Sequence, residues 1–139
     1  MSFDIPVRVY IEDTDAGGIV FYGNYLKFFE RARTDFLRSV GIEQSVTIEN
    51  NLIFVVRRIA VDYKLPARLD DVLTVSCAVK SIRPTRVVFA QTANRSNDGM
   101  NLVKAEVEVV AINMDTLKPR ALPDTLLKTL HMTVGNTDV

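Results

Sequence analysis

The sequence predicts an α+β protein: a five-stranded antiparallel sheet with one long helix laid across a face. Three observations lead there. Apolar residues alternate with a period of two near the start and in later segments, which is the pattern of half-buried strands. Between about Asn24 and Val40 the period becomes helical. Four strand-like segments then follow one another, separated by turn-forming residues, and hairpin-linked strands pair antiparallel.

Each element has its own signal. Residues 3 to 12 are extended in character, with Val7, Val9 and Ile11 alternating with Arg8, Tyr10 and Glu12. Asp13 to Gly18 has the composition of a turn. In the helix, Tyr25, Phe28, Phe29, Ala32, Phe36 and Val40 fall on one stripe, while Lys27, Glu30, Arg31, Asp35 and Arg38 lie away from it. Asn24 is the expected N-cap and Gly41 the stop. Arg31 and Asp35 have the spacing of an i,i+4 ion pair. At about 1.5 Å per residue the helix is long enough to cross a five-stranded sheet. A polar interval, Glu43 to Asn51, precedes the strand Leu52 to Lys64. Pro66 and Asp70-Asp71 end that strand. Val72 to Lys80 places Leu73, Val75, Cys77 and Val79 on one side. "IRPTR" reads as a turn, and Arg86 to Arg95 as the next strand. "SNDGMN" reads as a hairpin tip at Asp98-Gly99. Val103, Ala105, Val107, Val109 and Ala111 then alternate with Lys104, Glu106 and Glu108. Pro119 and Pro123 flank a connection to a short helix at about Asp124 to Leu130.

Composition narrows the function. The 139 residues suit a single domain, residues 1–139. Seventeen basic residues balance 17 acidic ones, so the basic excess of a nucleic-acid binder is missing. One cysteine, Cys77, excludes an internal disulfide and suits a reducing compartment. No signal-peptide pattern opens the chain, and no apolar run approaches the roughly 18 residues of a membrane span. The expectation is a soluble cytoplasmic protein with no transmembrane segment and no nucleic-acid partner. One helix covers only one sheet face and the edge strands stay open, so pairing with a second copy is expected.

The candidate chemistry lies in "YIEDTDAGGIVFYGNYLKFFERAR", Tyr10 to Arg33. Asp13 and Asp15 could begin a calcium loop, with Gly18 at its glycine position. Position 12 would then be Asn24, where a bidentate Glu is required, and the preceding segment is strand-like. "VYIEDTD" superficially matches an aspartyl-nucleophile phosphatase, but such enzymes need a parallel α/β sheet with further acidic and lysine motifs. A third possibility is one working carboxylate beside a helix start. Unpaired N–H groups and partial positive charge there stabilise an oxyanion. The carboxylate serves as general base or nucleophile, and Gly17 and Gly18 let backbone approach a substrate. The plain alternative is a capping turn in which Asp13 or Asp15 satisfies backbone donors.

That stretch resembles the signature of hot-dog-fold acyl-CoA thioesterases. It is most similar to the branch associated with the bacterial Tol-Pal cluster and more distantly similar to 4-hydroxybenzoyl-CoA thioesterase. The likeness continues through "FVVRRIAVDYKLPARLDDVLTV" and "AEVEVVAINMDTLKPRALP". It implies a hot-dog fold, the sheet wrapped around the helix, and hydrolysis of an acyl-CoA thioester to free acid and CoA. By position, Asp15 becomes the catalytic carboxylate, as general base or nucleophile. The N–H of Tyr22 polarises the carbonyl, and Asp13 supports the loop. Gly17 and Gly18 border the substrate, and Arg83 and Arg86 match a region that contacts the CoA phosphates; a solvated strand end is the other reading of that pair. Neither a metal nor a cofactor is implied. The family assembles as dimers, often as tetramers of hot-dog dimers (a homotetramer), with each site between subunits. Many relatives carry histidine where this chain has Tyr22. Tyrosine, with an ordinary pKa near 10, does not replace an imidazole in proton transfer at neutral pH, so only the backbone role carries over. His131, the one histidine, reads as a surface or packing residue. A non-catalytic module binding acyl-CoA or acyl carrier protein is the alternative, and a hydratase would need the missing histidine.

Other residues read more simply. Glu30, Arg31 and Arg33 are expected on the helix surface or in interface ion pairs. Arg57 and Arg58, being adjacent, should face opposite sides of a strand. Asp62 is left as a loop or partner contact. Cys77 is expected to be buried and inert.

Overall fold

The computed structural model describes residues 3–137. Strands β1 (Phe3–Arg8), β2 (Leu52–Tyr63), β3 (Val72–Ile82), β4 (Arg86–Arg95) and β5 (Asn101–Asn113) form one antiparallel sheet in the order β1-β3-β4-β5-β2. Helix α1 (Tyr25–Ser39) lies in its concave face, with α2 (Gln44–Glu49) and α3 (Asp124–Thr137) completing the chain. This is the expected hot-dog arrangement. One feature of the order was not anticipated. β2 does not neighbour β3; it pairs with β5 at the opposite edge from β1.

Periodicity explains the packing. In β3, Leu73, Val75, Cys77 and Val79 are buried, and so are Val103, Ala105, Val107, Val109 and Ala111 of β5. They meet the α1 stripe, where Tyr25, Phe28, Phe29, Ala32 and Phe36 are buried and Val40 packs at the margin. Complete burial of a phenylalanine such as Phe28 contributes about 1.5–3 kcal/mol. Gly41 stops α1 as expected, at φ +90°. Its N–H donates to the Arg38 carbonyl and that of Ile42 to Leu37, which satisfies carbonyls left open at the helix end.

Several expectations need correction. β1 stops at Arg8, and Ile11–Asp13 is a 3-10 turn with Ile11 77% exposed. Asp13 Oδ2 accepts the Tyr10 N–H and Thr14 Oγ1 donates to the Ile11 carbonyl, so local side-chain bonds displace the strand. Asn24 is already helical and does not cap; its amide donates to Asp13 Oδ1 instead. Asp35 pairs with Arg38 at 3.0 Å, not with Arg31, whose guanidinium sits over the Phe28 ring. The polar interval holds α2, and α3 runs to Thr137, well past the expected Leu130.

The largest departure is Arg33, which is 8% exposed and not on the surface. Its Nη1 donates to Gln91 Oε1 at 2.9 Å, while Gln91 Nε2 donates to the carbonyls of Phe29 and Ser76. Gln91 is 1% exposed and stands among the inward residues of β4. A guanidinium away from water is tolerated only when its donors are met. The pair therefore links the middle of α1 to β3 and β4 through one polar bridge in an apolar core. Burial lowers the Arg33 pKa from its ordinary value. Replacing Gln91 with Leu leaves that charge without its acceptor, and we expect a loss of about 2–3 kcal/mol in urea unfolding. An unchanged midpoint would show that the bridge adds nothing.

Candidate active site

The two aspartates stand on a small hairpin between β1 and α1. Thr14 and Val20 form an antiparallel bridge, and the Asp15 N–H donates to the Ile19 carbonyl at 2.9 Å. Gly18 closes the turn, its N–H donating to the Asp15 carbonyl and its φ at +75°. A side chain there would strain the backbone. The hairpin is tied to the segment after β2, because Val20 N–H donates to Ala67 and Leu69 N–H to Gly18.

The carboxylates have different surroundings. Both oxygens of Asp13 are engaged, Oδ2 by the Tyr10 N–H and Oδ1 by the Asn24 amide, each at 2.8 Å. Its carbonyl also accepts the Phe21 N–H. Asp13 thus fastens the strand end, the hairpin and the approach to α1, and its oxygens are spent. Asp15 is exposed, and its Oδ1 accepts only the Gly17 N–H at 2.9 Å. Oδ2 has no hydrogen-bond partner among the described residues. One aspartate is built into the fold, and the other offers a free oxygen on a tethered turn.

The helix start supplies the complementary charge. A 3-10 turn, Tyr22–Asn24, leads into α1. The backbone N–H groups of Tyr22 and Gly23 donate to no partner among the described residues, whereas the Asn24 N–H reaches the Phe21 carbonyl. Unpaired N–H groups at a helix N-terminus attract developing negative charge. The Tyr22 ring is 66% exposed and stacks edge-on against Tyr63, centroids 6.3 Å apart. The Tyr63 hydroxyl donates to the Tyr22 carbonyl at 2.9 Å. Tyr22, Tyr25, Tyr63, Ile19, Val20 and Leu65 line a cleft of about 320 Å³ beside this start. Tyr25 accepts the Ala67 N–H through its hydroxyl, and burial raises its pKa.

The remaining candidates separate. Gly17 and Gly18 lie in the Asp15 turn. Arg83 and Arg86 lie at the far end of β3, whose 11 residues span roughly 35 Å. Arg83 is exposed, and Arg86 Nη1 stands 3.5 Å from Glu108 Oε1. A single chain does not bring this pair to Asp15. Arg57, the residue at a bulge in β2, also faces Glu108, at 3.6 Å. His131 is on α3 and exposed, and Asp62 is also exposed, opposite Lys104. Among the described residues no cluster of His, Cys, Asp and Glu could hold a metal ion. None of their helices is long and apolar enough to cross a membrane. Tyr63 and Gly23 were missed in the sequence. Neither carries a motif, and the hydroxyl bond joins positions 41 apart.

Comparison with known proteins identifies the family. Residues 9–130 match the thioesterase-like superfamily. The chain is 45% identical over 126 residues to the acyl-CoA thioester hydrolase YbgC of Escherichia coli O6:H1, covering 90% of this chain and 92% of that one. It is 42% identical over 131 residues to the acyl-CoA thioesterase YbgC of Haemophilus influenzae, covering 94% and 95%. The crystal structure of a probable thioesterase from Bartonella henselae superimposes with a TM-score of 0.82 at 35% identity, over 88% of this chain and all of that one.

Cys77 lies outside the site. It is buried, and burial pushes its thiol pKa up to about 12, so it holds its proton at neutral pH. A thiol reagent such as DTNB should label it only after denaturation. Rapid labelling of the folded protein would show instead that the thiol is reached by solvent.

Proposed function

We infer that this chain, which belongs to the thioesterase-like superfamily and is an acyl-CoA thioester hydrolase, works through Asp15 as its catalytic carboxylate. The observation that carries this is the difference between the two aspartates. Asp13 has both oxygens bonded, while Asp15 keeps Oδ2 free beside a helix start with open N–H groups. As general base, Asp15 takes a proton from water as the water oxygen attacks the thioester carbon. As nucleophile, its oxygen attacks directly and water then opens the mixed anhydride. In both routes the carbonyl oxygen becomes an oxyanion, and the Tyr22 N–H stabilises it. The C–S bond breaks, the CoA sulfur leaves as a thiolate, and it takes up a proton. The Tyr22 side chain has no part in proton transfer.

The acyl group occupies the cleft lined by Tyr22, Tyr25 and Tyr63, with Gly17 and Gly18 at its mouth. The whole chain, residues 1–139, acts as a single cytoplasmic domain, which suits its one continuous apolar core and unpaired thiol. It acts as a homo-oligomer, a dimer or a tetramer of hot-dog dimers. Support comes from β2, a 12-residue edge strand that leaves Val55, Val56, Ile59 and Tyr63 partly exposed. Assembly also gives Arg83 and Arg86 a use, since in a paired sheet one subunit's arginines serve the CoA phosphates at another's Asp15.

Release of free thiol from a panel of acyl-CoA substrates tests the reading. Asp15→Asn should lower kcat by about 10²–10⁴-fold; equal turnover across the panel would end the Asp15 assignment. Double replacement of Arg83 and Arg86 by Ala should raise KM for acyl-CoA about tenfold, as lost phosphate contacts would. It should leave kcat intact and not affect thioesters that lack the nucleotide. An unchanged KM would remove the arginines from the site.

A further inference from the structure

We propose that Tyr63 is a positioning residue for the oxyanion site, holding the Tyr22–Gly23 peptide so that the Gly23 N–H joins the Tyr22 N–H as a second donor. The inference rests on the hydrolase reading above and adds a residue that no motif marked.

The argument begins with the peptide unit. It is planar and trans, so its C=O and N–H point in opposite directions. Whatever fixes the Tyr22 carbonyl also fixes the direction of the Gly23 N–H. Tyr63 Oη donates to that carbonyl at 2.9 Å, from the last residue of β2. The Gly23 N–H donates to nothing among the described residues and stands at the start of α1, next to the open N–H of Tyr22. A hydrogen bond accepted by the carbonyl also polarises the amide, making its N–H a better donor by about 10–30%. One hydroxyl therefore aims the donor and strengthens it.

The surroundings hold Tyr63 in place. Its ring meets Tyr22 edge-on at 6.3 Å and Tyr25 at 5.8 Å. Tyr25 is in turn fixed by the Ala67 N–H. Gly23 keeps the donor face open. A Cβ built on it would come within 3.0 Å of the Phe21 ring, so a larger residue would displace that ring or the turn. The strand end, the aromatic cluster and the glycine converge on one peptide plane. Oxyanion donors gain from being preorganised before charge develops, and this arrangement supplies that.

Removing the hydroxyl alone tests the idea. Tyr63→Phe retains the ring contacts and should lower kcat about threefold to tenfold, the worth of one hydrogen bond. KM should not change, and the melting midpoint should fall by no more than about 5 °C, as the loss of one hydrogen bond would give. Site-specific 3-fluorotyrosine at position 63, a stronger hydrogen-bond donor, should raise kcat above wild type, so that rates order as Phe, Tyr, fluorotyrosine. A purely structural tyrosine would not follow donor strength. Wild-type kcat in Tyr63→Phe, a change in KM alone, or a fluorotyrosine no faster than Phe would each overturn the proposal. Asp15→Asn, assayed in parallel, separates the two levels. If it stays inactive while Tyr63→Phe is fully active, only the role of Tyr63 falls; if both are fully active, the Asp15 reading falls with it.

Discussion

The site depends on the burial of α1 in the concave face of the sheet. A helix free at its N-terminus would let its first N–H groups turn toward water, where they stabilise a passing charge no better than solvent does. Here Phe28, Phe29, Ala32 and Phe36 are locked in the core against β1, β3 and β4, and Arg33 adds a polar tie to Gln91. The helix axis is fixed by the core, and with it the direction of the open N–H groups at Tyr22 and Gly23. Packing energy accumulated over the whole domain thus becomes orientation at one end of one helix.

The hairpin ahead of the helix solves a second problem. A carboxylate that works on a substrate must stay exposed without being loose. The chain separates these demands between neighbours. Asp13 gives both its oxygens to the fold, joining Tyr10 and Asn24, and that bracing lets Asp15 keep one oxygen free. The Thr14–Val20 bridge and the bonds to Ala67 and Leu69 anchor the turn from two sides. Exposure and rigidity are supplied by different residues.

Much of this was legible in the sequence, for identifiable reasons. α1 and the strands β3, β4 and β5 announce themselves because each has one wet and one dry face, and burial follows their period. Gly41 and Gly99 mark turns because their backbones take positive φ. The loop-supporting place of Asp13, which the resemblance to the thioesterase motif implied, is seen in its bonds to Tyr10 and Asn24, and the role proposed for Asp15 has the same origin. What escaped was set by partners distant in the chain. Arg33 reads as a surface charge until Gln91, 58 positions away, is seen to receive it. Asn24 reads as a cap until Asp13 claims its amide. The short α2 has too few apolar residues to show a period, and the edge position of β2 follows from pairing with β5, which no local pattern encodes.

The strand order has a consequence for how the molecule is assembled. β3, β4 and β5 form a meander whose turns join neighbours: Ile82 pairs with Val87, and Asn94 with Asn101. β1 must find β3 across the chain, Arg8 opposite Val72, and β2 must find β5, Tyr63 opposite Val103. Loop closure costs about 0.6 kcal/mol for each doubling of length, so closing β1 on β3 costs about 2–3 kcal/mol more than forming either hairpin. Local contacts form ahead of distant ones. The meander is therefore the natural nucleus and both edges are late additions. Asp15, Tyr22 and Tyr63, the residues of the proposed site, all lie on or beside those late segments, so that site is completed at the end of folding. A partly folded chain with its central hairpins in place would still have no active site.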